Sequence, residues 1–424
     1  MIKFLAKGLL RDRSRSLFPV LITTSGVLLT VVVFSWINGF VSDSISTTAR
    51  FDTGHVRIMS RAYAQDSDQI PNDLALLGVD SLLQSLKSEY PTMIWTPRIH
   101  FGGLLDIPDE EGETRAQGPF VGFGVDLLSE GTPELDILNL EKGIVQGKLP
   151  DKPGEVLLSD EFARKLGVDI GETATIISST MYGGMALANF TVAGTVRFGI
   201  SAIDRSAMIA DIDDVREALN MENGAGEILG FFPDFFYAHP KAEELVSVFN
   251  AHFTDSEDEF SPIMGTLKEQ SGMADILDLV GSMYSIIIVF FIVVMSIVLW
   301  NAGLMGSLRR FGEIGVRLAM GETKGHVYRS MLGESLLIGA VGSVFGTILG
   351  LGLAFLLQEK GIPIAGMMKN ASMLFSNVMR AKVTLGSYFI GLIPGLAATF
   401  LGTSVAGLGI YRRQTSQLFK ELEA

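Results

Sequence analysis

Arg309–Ser330 reads RRFGEIGVRLAMGETKGHVYRS, a basic stretch of 22 residues set between two long apolar runs. Read as a helix, it places Phe311, Ile314 and Leu318 on one face, with Glu313 and Arg317 as an i,i+4 pair in the favourable order. Gly321 supplies a stop, and a second helix is expected to begin near Thr323. By physics alone this is either a short amphipathic helix offered to a cytosolic partner or a positive flank that orients the neighbouring spans. Both readings make it a water-exposed bend between membrane helices.

Working outward, charge-free stretches run over 16–42, 279–308, 335–358 and 383–411. Each exceeds the roughly 20 residues a helix needs to cross a bilayer core. A chain that is 48% hydrophobic, with mean hydropathy +0.36, fits that reading. Lys3, Lys7, Arg11, Arg13 and Arg15 precede the first run, and Arg309, Arg310, Arg317, Lys324 and Arg329 fill the bend, so both termini and the bend are expected in the cytoplasm. Lys360, Lys369, Arg380 and Lys382 outnumber Glu359 on the opposite side, but an even span count behind a basic N-terminus decides the orientation. The first run is too long for the apolar region of a cleaved secretory signal, about 7–15 residues, and is expected to stay as an anchor.

The expected fold is therefore a membrane protein of four transmembrane α-helices in a 1+3 arrangement, with a large α+β extracytoplasmic domain between the first and second. Its segments are an N-terminal interfacial helix (1–16), span one (17–42), the outer domain (43–274), span two (275–304) and a cytoplasmic amphipathic helix (305–326). Span three (327–358), an outer loop (359–383), span four (384–411) and a cytoplasmic tail (412–424) complete the chain. Gly342, Gly346 and Gly350 stack on one face of span three, which lets another helix approach closely. Pro394, beside Gly391 and Gly395, predicts a kink in span four.

The net charge of −14 hides a division. Between Val41 and Ala274 there are 16 Lys and Arg against 38 Asp and Glu, whereas the rest of the chain is basic. An acidic outer domain excludes nucleic acid as its partner. Cysteine is absent, which excludes disulfides, thiolate metal sites and a cysteine nucleophile. His55, His100, His239 and His252 lack metal-ligand spacing, and the acidic runs Asp109–Glu111 and Asp255–Glu259 read as solvated loops, so neither a metal nor a catalytic constellation is expected.

Within the outer domain, His55–Ser60, Thr92–Ile107 and Phe120–Asp126 read as strands and Ser81–Tyr90 as an amphipathic helix. Gly154–Ser179 reads as strand, helix and strand, with Ser159 as helix N-cap and Gly167 as stop. Asn189–Gly199 is expected to pair back as a hairpin whose tip is STMYGGMALA, and Asp211–Asn220 and Ala242–Phe253 read as helices.

The run RRFGEIGVRLAMGETKGHV resembles the signature of the FtsX/MacB/LolCE superfamily of ABC permeases, matched at Arg310, Glu313, Ile314, Gly315, Arg317 and Gly321, with Leu318-Ala319 departing from the usual order. Asn38–Phe40 followed by Thr53–Ile58 is similar to the LolC/LolE, lipoprotein-releasing branch. The resemblance implies a coupling helix, here Arg309, Arg310, Glu313, Ile314, Gly315, Arg317, Leu318 and Gly321, docked on two copies of a separate ABC ATPase that binds ATP and Mg. This chain lacks the G-x-x-x-x-G-K-[ST] run needed to cradle phosphates, so it holds no cofactor and is not expected to be an enzyme.

The resemblance further implies a second permease subunit, identical or paralogous, a place in the cytoplasmic (inner) membrane with the large domain in the periplasm, and contact with membrane lipids. It implies a lipoprotein or other amphiphile as cargo. A cleft lined by Phe34, Ile37, Phe40, Met283 and Tyr284 is the candidate for acyl chains. A hairpin with Met181, Tyr182 and Met185 is the candidate contact for an outer partner such as a lipoprotein chaperone, although it is short and lacks the proline-bearing arm of the LolC hook. The rival readings are a MacB-like efflux subunit and an FtsX-like activator of a peptidoglycan hydrolase.

Overall fold

The computed structural model describes residues 13–253, 258–270, 273–363 and 378–407, and within its helices some side chains, those of 301–315 among them, fall outside the description. Most of the expected interfacial helix, the middle of the 359–383 loop, Asp255 and Glu257, and the C-terminal tail lie outside the described residues. The chain divides into two compact units, parting at Ser42, Ile276, Ile362 and Met379.

The helical unit contains most of α1 (Arg13–Thr48), the long α6 (Met273–Ala319), α7 (Lys324–Lys360), α8 (Leu385–Phe389) and α9 (Leu392–Gly407). Three segments, Leu17–Thr53, Lys324–Lys360 and Leu385–Gly407, are long and apolar enough to cross a membrane, and α6 carries a shorter apolar stretch, Ser285–Val298. The glycine stripe of α7 receives α1. A β-carbon at Gly342 would lie 2.7 Å from Thr23, one at Gly346 2.7 Å from the Thr24 carbonyl, and one at Gly350 2.9 Å from Val31. Only glycine permits that approach, which suits helices that cannot gain from the hydrophobic effect inside lipid. The segment expected as span four breaks at Ile390 and Gly391, between α8 and α9. Pro394 has no N–H for the Ile390 carbonyl four residues back, so the helix cannot pass through without interruption.

The outer unit is a mixed sheet with helices packed on it. Its strands are β1 (Val56–Ser60), β2 (Leu76–Leu77), β3 (Ile94–Pro108), β4 (Thr114–Val125), β5 (Ile144–Gly147) and β6 (Glu155–Ser159). They continue as β7 (Thr173–Ser179), β8 (Met185–Val196), β9 (Ala207–Asp211), β10 (Gly224–Ala225), β11 (Glu227–Phe231) and β12 (Pro262–Thr266). The order is β12-β1-β11-β3-β4-β9-β6-β8-β5, with β7 paired to β3 and β8. Pairs β4–β9 and β6–β8 are parallel and the remainder of the sheet is antiparallel.

Helices α2 (Val79–Glu89), α3 (Asp160–Leu166), α4 (Ile212–Leu219) and α5 (His239–Ala251) follow the expected positions. Helix α3 stops at Gly167 and α4 at Asn220, both left-handed, as short helices ending on Gly or Asn do. Asp211 caps α4 by accepting from the Asp213 N–H. Ser159 sits at the N-cap of α3 but does not cap it, because its hydroxyl donates instead to the Asp204 carbonyl at 2.8 Å. Glycines in β4 bring both helices close: a β-carbon at Gly118 would meet Phe162 and Leu166, and one at Gly124 would meet Val215 at 3.1 Å. A core including Ile58, Phe101, Leu105, Phe162, Ile176, Val192, Val215 and Ile228 fills the space beneath them.

Candidate functional site

The bend between the long helices is a compact elbow. The Glu322 N–H donates to the Arg317 carbonyl and the Gly321 N–H to the Leu318 carbonyl, both at 3.1 Å. Together with φ +93° at Gly321, these bonds form a Schellman motif. Two residues later the Thr323 hydroxyl accepts from the His326 N–H at 3.3 Å and opens α7. Val327 is buried, with Leu318 and Met331 packed against it, so the two helices are pinned across the turn by an apolar contact. His326 Nε2 lies 3.5 Å from Glu322 Oε1.

The segment expected to be a short coupling helix is not a separate helix. It is the end of α6, which runs without interruption from Met273 to Ala319. The side chains of Arg309, Arg310, Glu313 and Ile314 lie outside the described residues, while Gly315 is helical within α6. Leu318 is half-buried against α7 and holds the elbow together. Val316 (50% exposed) and Met320 (75% exposed) are exposed apolar residues that the sequence reading missed. Their i,i+4 spacing beside Arg317 was the available signal, because residues four apart share a helix face.

On the outer unit, the β7–β8 hairpin has longer arms and a shorter tip than expected. Met185–Ala188 already belongs to β8, and only Thr180–Gly184 turns, held by Thr180 N–H to Gly184 carbonyl and Gly184 N–H to Thr180 Oγ1 bonds of 2.8 and 2.9 Å. Tyr182 (75% exposed) and Met185 (74% exposed) stand in solvent. Met181 does not. It is buried in the sheet core, and its N–H donates to the Leu219 carbonyl, so of the three hairpin residues expected at a partner surface it is structural. The ladder places Leu104 opposite Ile177 and Ile177 opposite Leu187, which extends the exposed apolar patch across three strands. Beside the tip lies a cleft of about 710 Å³ lined by Ile70, Pro71, Asn72, Phe101, Ser178 and Tyr182. Ile70, a β-branched residue at φ +52°, is strained at its wall.

Of the expected acyl cleft, the structure describes Phe34, Ile37, Phe40 and Met283. Ser35 bonds Ser387 at 3.1 Å, Asn38 bonds Thr384 at 3.5 Å, and Phe34 reaches the position of Gly386, so this side of α1 is turned to the start of span four. At i,i+3 spacing Ile37 neighbours Phe34 and Phe40 neighbours Ile37, and both are half-buried. Met283 is exposed on α6, and the Tyr284 side chain lies outside the described residues.

Strands β1, β3 and β11 carry the buried Arg57, Arg98 and Glu227. Arg98, fully buried, forks onto Glu134 with Nε–Oε1 and Nη2–Oε2 bonds of 2.8 Å each, while its Nη1 donates to the Arg50 carbonyl at 2.5 Å. Thr96 donates to the same carboxylate at 2.7 Å. Glu227 lies 3.2 Å from Arg57 Nη1 and 2.9 Å from His100 Nε2. Burial pushes the Glu227 carboxyl up, but His100 and Arg57 more than reverse this and leave it below the usual carboxylate range. Burial among Phe231, Phe232 and Tyr237 drives His55 down to about 4, and its Nδ1 accepts from the Phe232 N–H at 3.0 Å.

Comparison with known proteins gives two family matches. A model described as MacB-like periplasmic core domain matches residues 16–237, and one described as FtsX-like permease C-terminal matches residues 285–415. The lipoprotein-releasing system transmembrane protein LolC of Xylella fastidiosa (strain 9a5c) is 25% identical over 215 residues, 49% of this chain and 50% of that protein. This chain thus spans about half the length of the LolC relatives it matches. The macrolide export ATP-binding/permease protein MacB of Hyphomonas neptunium is 29% identical over 101 residues, 24% of this chain and 15% of that protein. The periplasmic region of MacB from Actinobacillus actinomycetemcomitans superposes with a TM-score of 0.35 at 13% identity, covering 52% of this chain and 92% of that one.

Proposed function

From the premise that this chain belongs to the ABC-transporter permease family that joins a MacB-like periplasmic core domain to an FtsX-like permease C-terminal region, we propose that it converts ATP hydrolysis on a separate ATPase into movement of its outer domain. Four spans cross the inner membrane, with both termini and the elbow in the cytoplasm and the acidic domain in the periplasm. Two copies of the ATPase bind ATP and Mg, and a second permease subunit, identical or paralogous, completes the complex. The observation that carries this reading is the elbow, where a Schellman turn, an N-cap and the Leu318–Val327 contact join α6 to α7 as one stiff corner. Val316 and Met320 are exposed on its outer surface, beside Arg317. Together with Arg309, Arg310, Glu313, Ile314 and Gly315 they form the surface on which the ATPase pushes, and a stiff corner passes that push to both helices at once.

The cargo in this reading is a lipoprotein or another amphiphile taken from the outer leaflet, supported by the likeness to LolC over half its length. The Tyr182, Met185 and Leu187 patch is where an outer partner, such as a lipoprotein chaperone, would dock. The likeness to MacB favours a second reading, an efflux subunit that works an outer partner without passing substrate through its own spans, and an FtsX-like role would replace that partner by a peptidoglycan hydrolase. Purification of the complex in mild detergent, followed by mass spectrometry of what stays bound, separates them. Acylated protein supports lipoprotein release, an adaptor supports the efflux reading, and a hydrolase supports the third.

A further inference from the structure

The 43–276 part of the outer unit is joined to α1 at its start and to α6 at its end, and the two joining segments leave neighbouring strands. The incoming chain passes through the π-turn Ala49–Thr53 into β1, and the outgoing chain passes from β12 through the 3-10 turn Leu267–Glu269 towards α6. β1 and β12 are antiparallel neighbours in register from Val56–Thr266 to Ser60–Pro262, so the start of one strand lies against the end of the other. Arg57, opposite Gly265 in that ladder, is buried between them. Its Nη1 bonds Asp52 Oδ1 of the incoming connection at 3.2 Å, and its Nε bonds Gln270 Oε1 of the outgoing connection at 2.5 Å. The same Nη1 reaches Glu227 on β11 at 3.2 Å, tying both to the next strand of the sheet.

We infer that Arg57 is a positioning residue of the transmission path, a latch through which the guanidinium fork makes the two membrane connections move as one and passes their motion into the sheet through Glu227. A planar guanidinium with several donors suits three separate acceptors, whereas an ammonium is a point charge that cannot hold all three directions. Arg98 supports the latch by holding the Arg50 carbonyl of the incoming turn from β3. Without the latch, α1 and α6 still move with the ATPase, but the outer unit no longer follows both. The inference rests on the force-transmission reading proposed above.

The chain has no cysteine, so introduced thiols are unique labels. Spin labels at Lys87→Cys on α2 and Lys360→Cys at the end of α7, both exposed, would report the distance between the units in the complex reconstituted with its ATPase in lipid vesicles. The wild-type latch should show a distance that changes with ATP. Arg57→Gln should keep ATP turnover within about twofold while the ATP-driven change in distance falls by more than half, and Arg57→Lys should fall between. A third preparation carries Arg57→Gln with Asp52→Cys and Gln270→Cys, closed by a short bifunctional thiol reagent, with the motion read by fluorescent unnatural amino acids at 87 and 360. Crosslinking should restore the change. A full ATP-driven change in Arg57→Gln, or no restoration on crosslinking, overturns the latch. If the wild-type complex shows no ATP-driven change at all, the force-transmission reading fails and the latch fails with it.

Discussion

Replacing Glu134 by Ala tests how the outer unit tolerates its buried charges. Arg98 and Glu134 have side chains fully out of water and share two bonds of 2.8 Å, while Thr96 adds a third to the carboxylate. Glu134→Ala leaves the guanidinium buried with the Arg50 carbonyl as its named remaining partner. Breaking a buried pair from one side costs about 3–5 kcal/mol, because the surviving charge is uncompensated. For a unit of this size each kcal/mol moves the melting temperature by about 2–4 °C, so a drop of about 6–20 °C is expected. Replacing both partners, as Arg98→Met with Glu134→Leu, should recover at least half of the loss, since apolar packing removes the desolvation penalty along with the pair. Trp95 adjoins Thr96 and is buried, so thermal unfolding of the full chain in detergent can be followed by its fluorescence once Trp36 and Trp300 are changed to Phe. A drop under about 2 °C for Glu134→Ala, or a double variant as unstable as the single, would refute the reasoning.

Other outcomes follow from the same geometry. His55 is held neutral in the fold and titrates near 4, against 6.5 when unfolded. The unfolded chain therefore binds more protons between those values, and roughly 3 kcal/mol of stability present above pH 6.5 should be lost as pH falls towards 4. Denaturant titrations at pH 7 and 5 should show about 2 kcal/mol of this fall, and His55→Asn, which keeps an acceptor for Phe232, should flatten it. Gly342→Leu should cost about 1–3 kcal/mol by overpacking against Thr23, read as earlier thermal inactivation in detergent. Tyr182→Ser with Met185→Gln should leave melting unchanged while retention of a co-purifying outer partner drops about tenfold, because exposed side chains add little to stability and much to an interface.

Much of the fold was legible because its signals are local. Gly167 and Asn220 end their helices where a left-handed residue is needed, the glycines at 342, 346 and 350 mark the face that receives α1, and Pro394 marks the break at Ile390. The bend at Gly321 and the start of α7 at Thr323 stand where the residues place them. What could not be read depends on distant partners. Arg57 meets Gln270 across 213 residues and Arg98 meets Glu134 across 36, and no periodicity announces such pairs. Parallel pairing of β4 with β9 is equally invisible to local pattern. Met181 does lie in the turn, but its side chain packs into the sheet core and its N–H meets the Leu219 carbonyl, a distant partner that no local pattern announces. The bonds from Ser35 to Ser387 and from Asn38 to Thr384 join residues 352 and 346 positions apart, and are equally hidden from local pattern.

The central claim is that the elbow at the end of α6 receives the push of an ATPase. Its most direct test is ATP turnover by the complex in lipid vesicles, compared between the native chain, Glu313→Lys and Arg317→Glu, with membrane insertion of each checked by protease accessibility of the outer unit. The account predicts a tenfold or greater loss of coupled turnover in both variants with insertion intact, since reversed charge opposes a complementary docking groove. Turnover unchanged in both variants, with the ATPase still bound, would contradict it.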